Sequence, residues 1–197
     1  MRAGTAQMAG LLADEVDFSR SGAVVDVGGG DGTLLAAVLC AHPQLRGTVY
    51  DSVEGSAQAP ATIETAGLGR RCTVETGDFF DRVPAGGDTY LLKSIVHDWD
   101  DERAATILRH CCDALLEGRP PTGGRVLVAE PVLPDTVTPG DSPGRYLSDL
   151  NMLVNVGGRE RTRDDFAALF RSAGLVLTDV VELPAHTGFC VLEAAPV

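Results

Sequence analysis

Short apolar runs alternate with stretches of helical periodicity along most of the chain. "AVVDVGG", from Ala23, reads as a buried strand, and "GTLLAAVLCAHP" after it as a helix that ends before Pro43. "GTVYD" is a second strand followed by the helical "APATIETAGL", and "CTVETGDFF" is a third strand with its exit loop. "DTYLLKSIV" predicts a fourth strand. In "DERAATILRHCCDALLEG" after it, Ala104, Ile107, Leu108, Cys111 and Leu115 share one face and Gly118 marks the stop. "RVLVAEPV" is a fifth strand, "RDDFAALFRSAGL" a further helix, and "GFCVLEAA" a closing strand. Strand–helix alternation of this kind predicts an α/β protein with a doubly wound, Rossmann-like, mostly parallel sheet, in one domain over residues 1–197. "PDTVTPGDSPGR", rich in Pro, Gly and Asp, reads as a mobile loop.

Composition narrows the class. With 44% hydrophobic and 22% charged residues the chain is a globular protein, and no apolar run approaches the roughly 20 residues that cross a bilayer. The N-terminal stretch has no apolar core of signal-peptide type, so a cytoplasmic location is expected. A net charge of −12 argues against a nucleic-acid surface, which needs clustered cations. Five cysteines without CxxC spacing argue against a disulfide framework or a zinc site, and no His/Asp cluster stands at metal-ligand spacing. Lys93 is the only lysine.

Candidate chemistry begins where the first strand ends, in "DVGGGDG". Glycines there let the backbone turn tightly and bring N–H groups against a ligand. A dinucleotide fingerprint counted from Gly28 requires Gly or Ala where Thr33 stands. The sequence instead sets an acid, Asp26, two residues before a G-x-G-x-G of Gly28, Gly30 and Gly32, a pattern that resembles the first motif of class I S-adenosylmethionine-dependent methyltransferases. Asp51 ends the second strand, where a carboxylate can accept both hydroxyls of a ribose. Asp78, at the third strand end, is placed to accept from an exocyclic amino group, and Phe79 to pack on a purine face. Three successive strands ending in acids point to a nucleoside-type ligand. His97, in "LLKSIVHDWDDE", is on these grounds either a base or an ordinary strand-end residue.

"DVGGGDG", "GDFF", "LLKSIVHDWDDE", "VAEPV" and "GGRERT" stand in the order and spacing of one family. The chain resembles the small-molecule O-methyltransferases that include plant caffeate and flavonoid enzymes and bacterial tailoring enzymes of aromatic polyketides. The resemblance implies that the glycine loop, Asp51, Asp78, Phe79 and Lys93 hold S-adenosylmethionine, with S-adenosylhomocysteine as product, and that Trp99 lies near this cofactor. It implies that His97 is the catalytic base, flanked by Glu130 and Glu160, and that Asp149, Met152 and Asn155, in and after "DLNML", contact the acceptor. Family members carry an N-terminal helical region that mediates dimerisation and closes over the acceptor. This sequence begins just ahead of the glycine-loop strand without it, so three expectations stand: a fragment, one half of a split enzyme, or an enzyme without a lid, with a homo-oligomer or a separate chain as a candidate for supplying the missing lid.

The implied chemistry is self-consistent. A phenol of pKa about 10 is a poor nucleophile at neutral pH until a base takes its proton, which a neutral imidazole of pKa near 6.5 can do as the C–O bond forms. A carboxylate on the second ring nitrogen fixes the tautomer and stabilises the imidazolium. No metal is required. The expected activity is methyl transfer to a hydroxylated aromatic small molecule. The alternatives are hydroxylation or decarboxylation-linked chemistry on the same cofactor site, or a cofactor-binding subunit that needs a partner chain. His42, His110 and His186 read as surface or capping residues.

Overall fold

The computed structural model describes residues 2–118, 120, 123–138, 143–184 and 187–197. The chain opens with helix α1 (Arg2–Glu15) and continues β1 (Ala23–Val27), α2 (Thr33–Ala41), β2 (Arg46–Asp51), α3 (Ala59–Thr65) and β3 (Cys72–Thr76). Its second half runs β4 (Thr89–Lys93), α4 (Asp101–Gly118), β5 (Arg125–Leu133), α5 (Pro143–Asn155), the two-residue β6 (Arg161–Thr162), α6 (Arg163–Ser172), β7 (Leu175–Glu182) and β8 (Phe189–Pro196). The strands pair in the order β3-β2-β1-β4-β5-β8-β7, with β6 beside the end of β5. β1 to β5 are parallel, and β8 is antiparallel to both β5 and β7. The mostly parallel, doubly wound sheet expected from the alternation is therefore present.

Both faces of the sheet are covered, which is why its central strands read as continuous apolar runs. Val24, Leu91, Leu127 and Ala129 pack with Leu12 of α1 and with Leu35 and Leu39 of α2. Val25, Tyr90, Leu92, Val126 and Val128 face Ile107, Leu108 and Cys111 of α4, with Phe166 and Phe170 of α6. The switch in strand order falls between β1 and β4. In open α/β sheets the crevice beyond the strand ends at such a point is where ligands bind. Here it lies between the glycine loop and the segment that carries His97.

Local chemistry sets the helix starts. Thr162 caps α6 in a reciprocal box, its Oγ1 accepting from the Asp165 N–H at 3.2 Å while its own N–H donates to Asp165 Oδ2 at 3.0 Å. Asp100 Oδ1 accepts from the Arg103 N–H at 2.9 Å to start α4, whose first turn also carries Asp101 and Glu102.

Four sequence expectations are corrected. The fourth strand stops at Lys93 rather than running to Val96. Ser94 takes a left-handed φ of 56°, and Val96–Asp98 form a 3₁₀ turn. Gly174, at φ 79°, ends the α6 segment before Leu175, which begins β7, a strand the reading missed because its side chains are buried in an irregular, edge-strand pattern. The end of the expected loop, from Pro143, is already helix α5, while residues 139–142 lie outside the described residues. The N-terminal segment, left without an element, is α1, tied to α2 by His42 Nε2 at 2.9 Å from Ala13 O. His186 lies outside the described residues. Among the described residues no helix is long and apolar enough to cross a membrane.

Candidate active site

The glycine loop closes by backbone geometry alone. Gly28, Gly30 and Gly32 have φ of 72°, 54° and 74°, a region open to glycine and strained for other residues. A Cβ on Gly28 would overlap the Ile95 side chain, so the loop packs directly on the segment after β4. Gly30 N–H donates to Asp51 Oδ2 at 2.8 Å, and Ser52 N–H donates to Oδ1 at 2.7 Å, which fixes the Asp51 carboxylate against the loop.

Asp26 lies beneath this loop and is fully buried. Burial, reinforced by the Asp51 charge, pushes its carboxyl up to about 7, and its Oδ2 has no hydrogen-bond partner. A buried orphan oxygen in a glycine-lined cradle is the kind of group a ligand's donor satisfies. Lys93, on the same sheet face as Asp26, has its Nζ 5.6 Å from the Phe189 ring centroid, and its charge opposes the rise at Asp26.

Asp78 is exposed and shapes its own turn, Oδ1 accepting from the Phe80 N–H at 2.8 Å. Phe79 and Phe80 form an edge-on pair at 4.9 Å, and Trp99 stands 4.7 Å from Phe80 and 6.2 Å from Phe79. Trp99 thus joins the aromatic wall beyond β3, and the Arg103 guanidinium lies 4.3 Å from both the Phe80 and Trp99 rings. His110, expected to be a surface or capping residue, is half-buried. Its Nδ1 lies 2.9 Å from Phe79 O and anchors this wall to α4.

The catalytic candidates converge from three distant segments. Glu130, wholly buried within β5, accepts through Oε1 from the N–H groups of Ile95 and Val96 at 2.9 Å and of His97 at 3.4 Å. Three donors on one oxygen end the β4 ladder and wind the following residues into a turn. Glu130 Oε2 makes no hydrogen bond and faces His97 Nδ1 at 3.3 Å. Glu160 approaches the same nitrogen with both carboxylate oxygens at 3.4 Å. Nε2 is thereby left on the other side of the ring, 3.6 Å from Asp98 Oδ1.

Burial of the ring lowers the His97 pKa. The Glu160 hydrogen bond and the charges of Glu130, Glu160 and Asp98 together outweigh it, so the net shift is upward from 6.5. Burial, with Glu160 adding to it against the opposing pull of His97, pushes Glu130 up to about 7.

The segment that carries Glu160 grips the turn at several further points. Gly158 leaves no room for a Cβ, which would collide with His97 O, and Arg159 N–H donates to that oxygen at 3.0 Å. The buried Arg161 guanidinium donates to Val96 O at 3.0 Å and Trp99 O at 2.9 Å, and pairs with Asp101 at 2.8 Å. On α5, Ser148 Oγ donates to Glu160 Oε1 at 2.8 Å, and Asp149 Oδ1 accepts from the Glu160 N–H at 2.8 Å. Asp149 is therefore committed in part to holding Glu160. Met152 is half-buried, and Asn155, exposed, bonds Asn151 within the helix at 2.6 Å, apart from the cluster. The sequence suggested Arg161 only as an ion-pair partner of Glu160, whereas it pairs with Asp101, and it gave Gly158 and Ser148 no individual role. Arg161 had a signal, a cation inside the very motif that supplied Glu160; Ser148 had none.

Comparison with known proteins follows the same lines. A match to the O-methyltransferase domain family covers residues 5–176. An O-demethylpuromycin-O-methyltransferase of Streptomyces alboniger is 53% identical over all of this chain and 52% of its own length. An aclacinomycin 10-hydroxylase, RdmB, of Streptomyces purpurascens is 43% identical over 84% of this chain and 42% of its own length. Among solved structures, the O-methyltransferase NcsB1 from neocarzinostatin biosynthesis, in complex with S-adenosylmethionine and 2-hydroxy-5-methyl naphthoic acid, superposes with a TM-score of 0.83 at 34% identity, over 100% of this chain and 57% of that one. The chain spans about half the length of the relatives it matches.

The geometry sets two expectations for stability, each read by urea denaturation. Glu130→Ala orphans three N–H groups in and beside the turn and lowers stability by on the order of 3 kcal/mol, while Glu130→Gln, which keeps an acceptor oxygen, loses much less. Gly158→Ala forces the His97 turn away from the Glu160 segment and lowers stability by about 2 kcal/mol.

Proposed function

This chain belongs to the O-methyltransferase domain family, and we propose that it transfers a methyl group from S-adenosylmethionine to a phenolic hydroxyl of a small natural-product-type acceptor. The observation that carries the reading is His97, with Nδ1 facing two buried carboxylates while Nε2 lies on the other side of the ring, 3.6 Å from Asp98 Oδ1. Both Glu130 and Glu160 favour the Nδ1–H tautomer and the imidazolium that forms after proton transfer.

The residues present fit the cofactor. The glycine cradle of Gly28, Gly30 and Gly32, the orphan Asp26 oxygen, the Asp51 carboxylate, Asp78 and the wall of Phe79 and Trp99 offer backbone, acidic and aromatic contacts suited to an adenosyl amino acid, with Lys93 at the rim. When bound, S-adenosylmethionine supplies an activated methyl carbon. His97 takes the acceptor's O–H proton on Nε2 as that oxygen becomes the nucleophile, and the positive charge left on the ring is shared with the two glutamates. Met152 on α5 and the second oxygen of Asp149 are the proposed acceptor contacts, while Asn155, apart from the cluster, is left out of them.

The similarity to a 10-hydroxylase supports a second reading, hydroxylation on the same scaffold. The intact base with both supporting acids favours methyl transfer. Leu147, Leu150, Leu153 and Val154 are exposed along α5, and an element that covers this face completes the acceptor site in this proposal. A cytoplasmic location belongs to it too, supported by five cysteines none of which is in a disulfide.

Titration calorimetry with S-adenosylhomocysteine tests the cofactor assignment: binding in the micromolar range is expected, and none at millimolar ligand contradicts it. With hydroxynaphthoic acids as acceptors, the product gains one methyl by mass spectrometry, whereas gain of one oxygen favours the hydroxylase reading. His97→Ala lowers turnover by about 10²–10⁴-fold with cofactor affinity unchanged. Because the base must be neutral and its pKa is raised, the rate falls as pH drops through a value above 6.5. Glu160→Gln removes a charge that raises this pKa, so it moves the acid limb to lower pH while reducing the maximum rate.

A further inference from the structure

His97, Glu130 and Glu160 place three ligand-type atoms within 4.8 Å of one another, a grouping that sequence spacing concealed because the residues are far apart in the chain. The separations are informative. His97 Nδ1 lies 3.3 Å from Glu130 Oε2 and 3.4 Å from Glu160 Oε2. These are long hydrogen-bond and ion-pair contacts, beyond the usual N–H···O range of about 2.7–3.2 Å. These two N···O separations are close to the roughly 3.3–3.4 Å edge of a tetrahedron whose metal–N and metal–O bonds are about 2.0–2.1 Å, and the third edge is within 4.8 Å.

Each carboxylate also has one oxygen committed elsewhere and one left for the centre. Glu130 Oε1 holds three backbone N–H groups, while its buried Oε2 has no hydrogen bond. Both Glu160 oxygens lie 3.4 Å from His97 Nδ1, and of the two it is Oε1 that also accepts from Ser148 Oγ. Outer partners that fix the ligand oxygens in this way are a regular feature of metal sites. Two buried carboxylates facing one imidazole leave negative charge that a divalent cation neutralises. The Arg161 guanidinium nearby is spent on Val96 O, Trp99 O and Asp101. One nitrogen and two carboxylate oxygens suit zinc better than the oxygen-seeking magnesium or calcium.

We propose that His97, Glu130 and Glu160 form an inhibitory binding site for a zinc-type divalent cation. The cation bonds Nδ1, and the ring's proton is then carried on Nε2. The lone pair that would take the acceptor proton is lost, so occupancy switches the base off. Inhibition rests on the proposed role of His97 as base; binding does not.

Equilibrium dialysis of the full chain against ZnCl₂ at pH 7.5 tests the site, with Co²⁺ absorption as a second measure of its geometry. One Zn²⁺ per chain is expected, with a tetrahedral-type Co²⁺ spectrum. This site is lost in His97→Ala and Glu160→Gln and weakened about ten- to a hundredfold in Ser148→Ala. S-adenosylhomocysteine binding, retained in each variant, reports that the fold is intact. The competing thiols are the exposed Cys40 and half-buried Cys190, so Cys40→Ser and Cys190→Ser should leave zinc binding unchanged. Zinc binding that survives His97→Ala, or that vanishes with either serine variant, overturns the proposal. So does absence of zinc binding in a chain that still binds S-adenosylhomocysteine, an outcome that leaves the methyltransferase reading standing.

Discussion

The buried carboxylate of Glu130 is the interaction on which the rest of the site depends. A carboxylate without water must find donors, and this one finds three in the backbone of residues 95–97. By taking those N–H groups it stops β4 at Lys93 and turns the chain so that His97 comes back over the end of β5. The same residue presents its second oxygen to the ring it has positioned. Fold and site are coupled here through one side chain: the oxygen that shapes the turn and the oxygen that faces the imidazole belong to one rigid group.

The second constraint comes from the segment of residues 157–161. It reaches the turn with a glycine where a side chain would collide, a backbone N–H on His97 O, a glutamate on the imidazole and an arginine on the carbonyls either side of the histidine. Four consecutive residues, Gly158 to Arg161, thus act on four consecutive residues, Val96 to Trp99. Helix α5 extends the chain of contacts through Ser148 and Asp149, so the helix proposed to line the acceptor also holds the glutamate that faces the imidazole. Orientation of the imidazole is set in this way by groups on β5, α5 and the loop between α5 and β6.

Much of this was legible in the sequence, for physical reasons that differ by element. The sheet and its flanking helices announced themselves because β1, β4 and β5 are buried on both faces and α4 on one. β7 did not, since an edge strand half in solvent lacks a sustained apolar run. The glycine loop and strand-end acids were readable as local pattern, and the structure gathers Asp26 and Asp51 on that loop. Arg161 and Ser148 were not, because their roles arise only when residues 148 and 161 meet the turn at residue 97. The metal-type spacing of His97, Glu130 and Glu160 was invisible for the same reason. The error over "LLKSIV" is the most instructive: its propensity is that of a strand, and a carboxylate more than thirty residues away overrides it.

The central claim is that two buried glutamates hold His97 as a base with its proton on Nδ1. Nitrogen-15 NMR of the histidine side chains, followed through a pH titration with His97→Ala for assignment, measures both properties at once. The account predicts an Nδ1–H tautomer at high pH and a pKa above 6.5. An Nε2–H tautomer, or a pKa below 6.5, would contradict it.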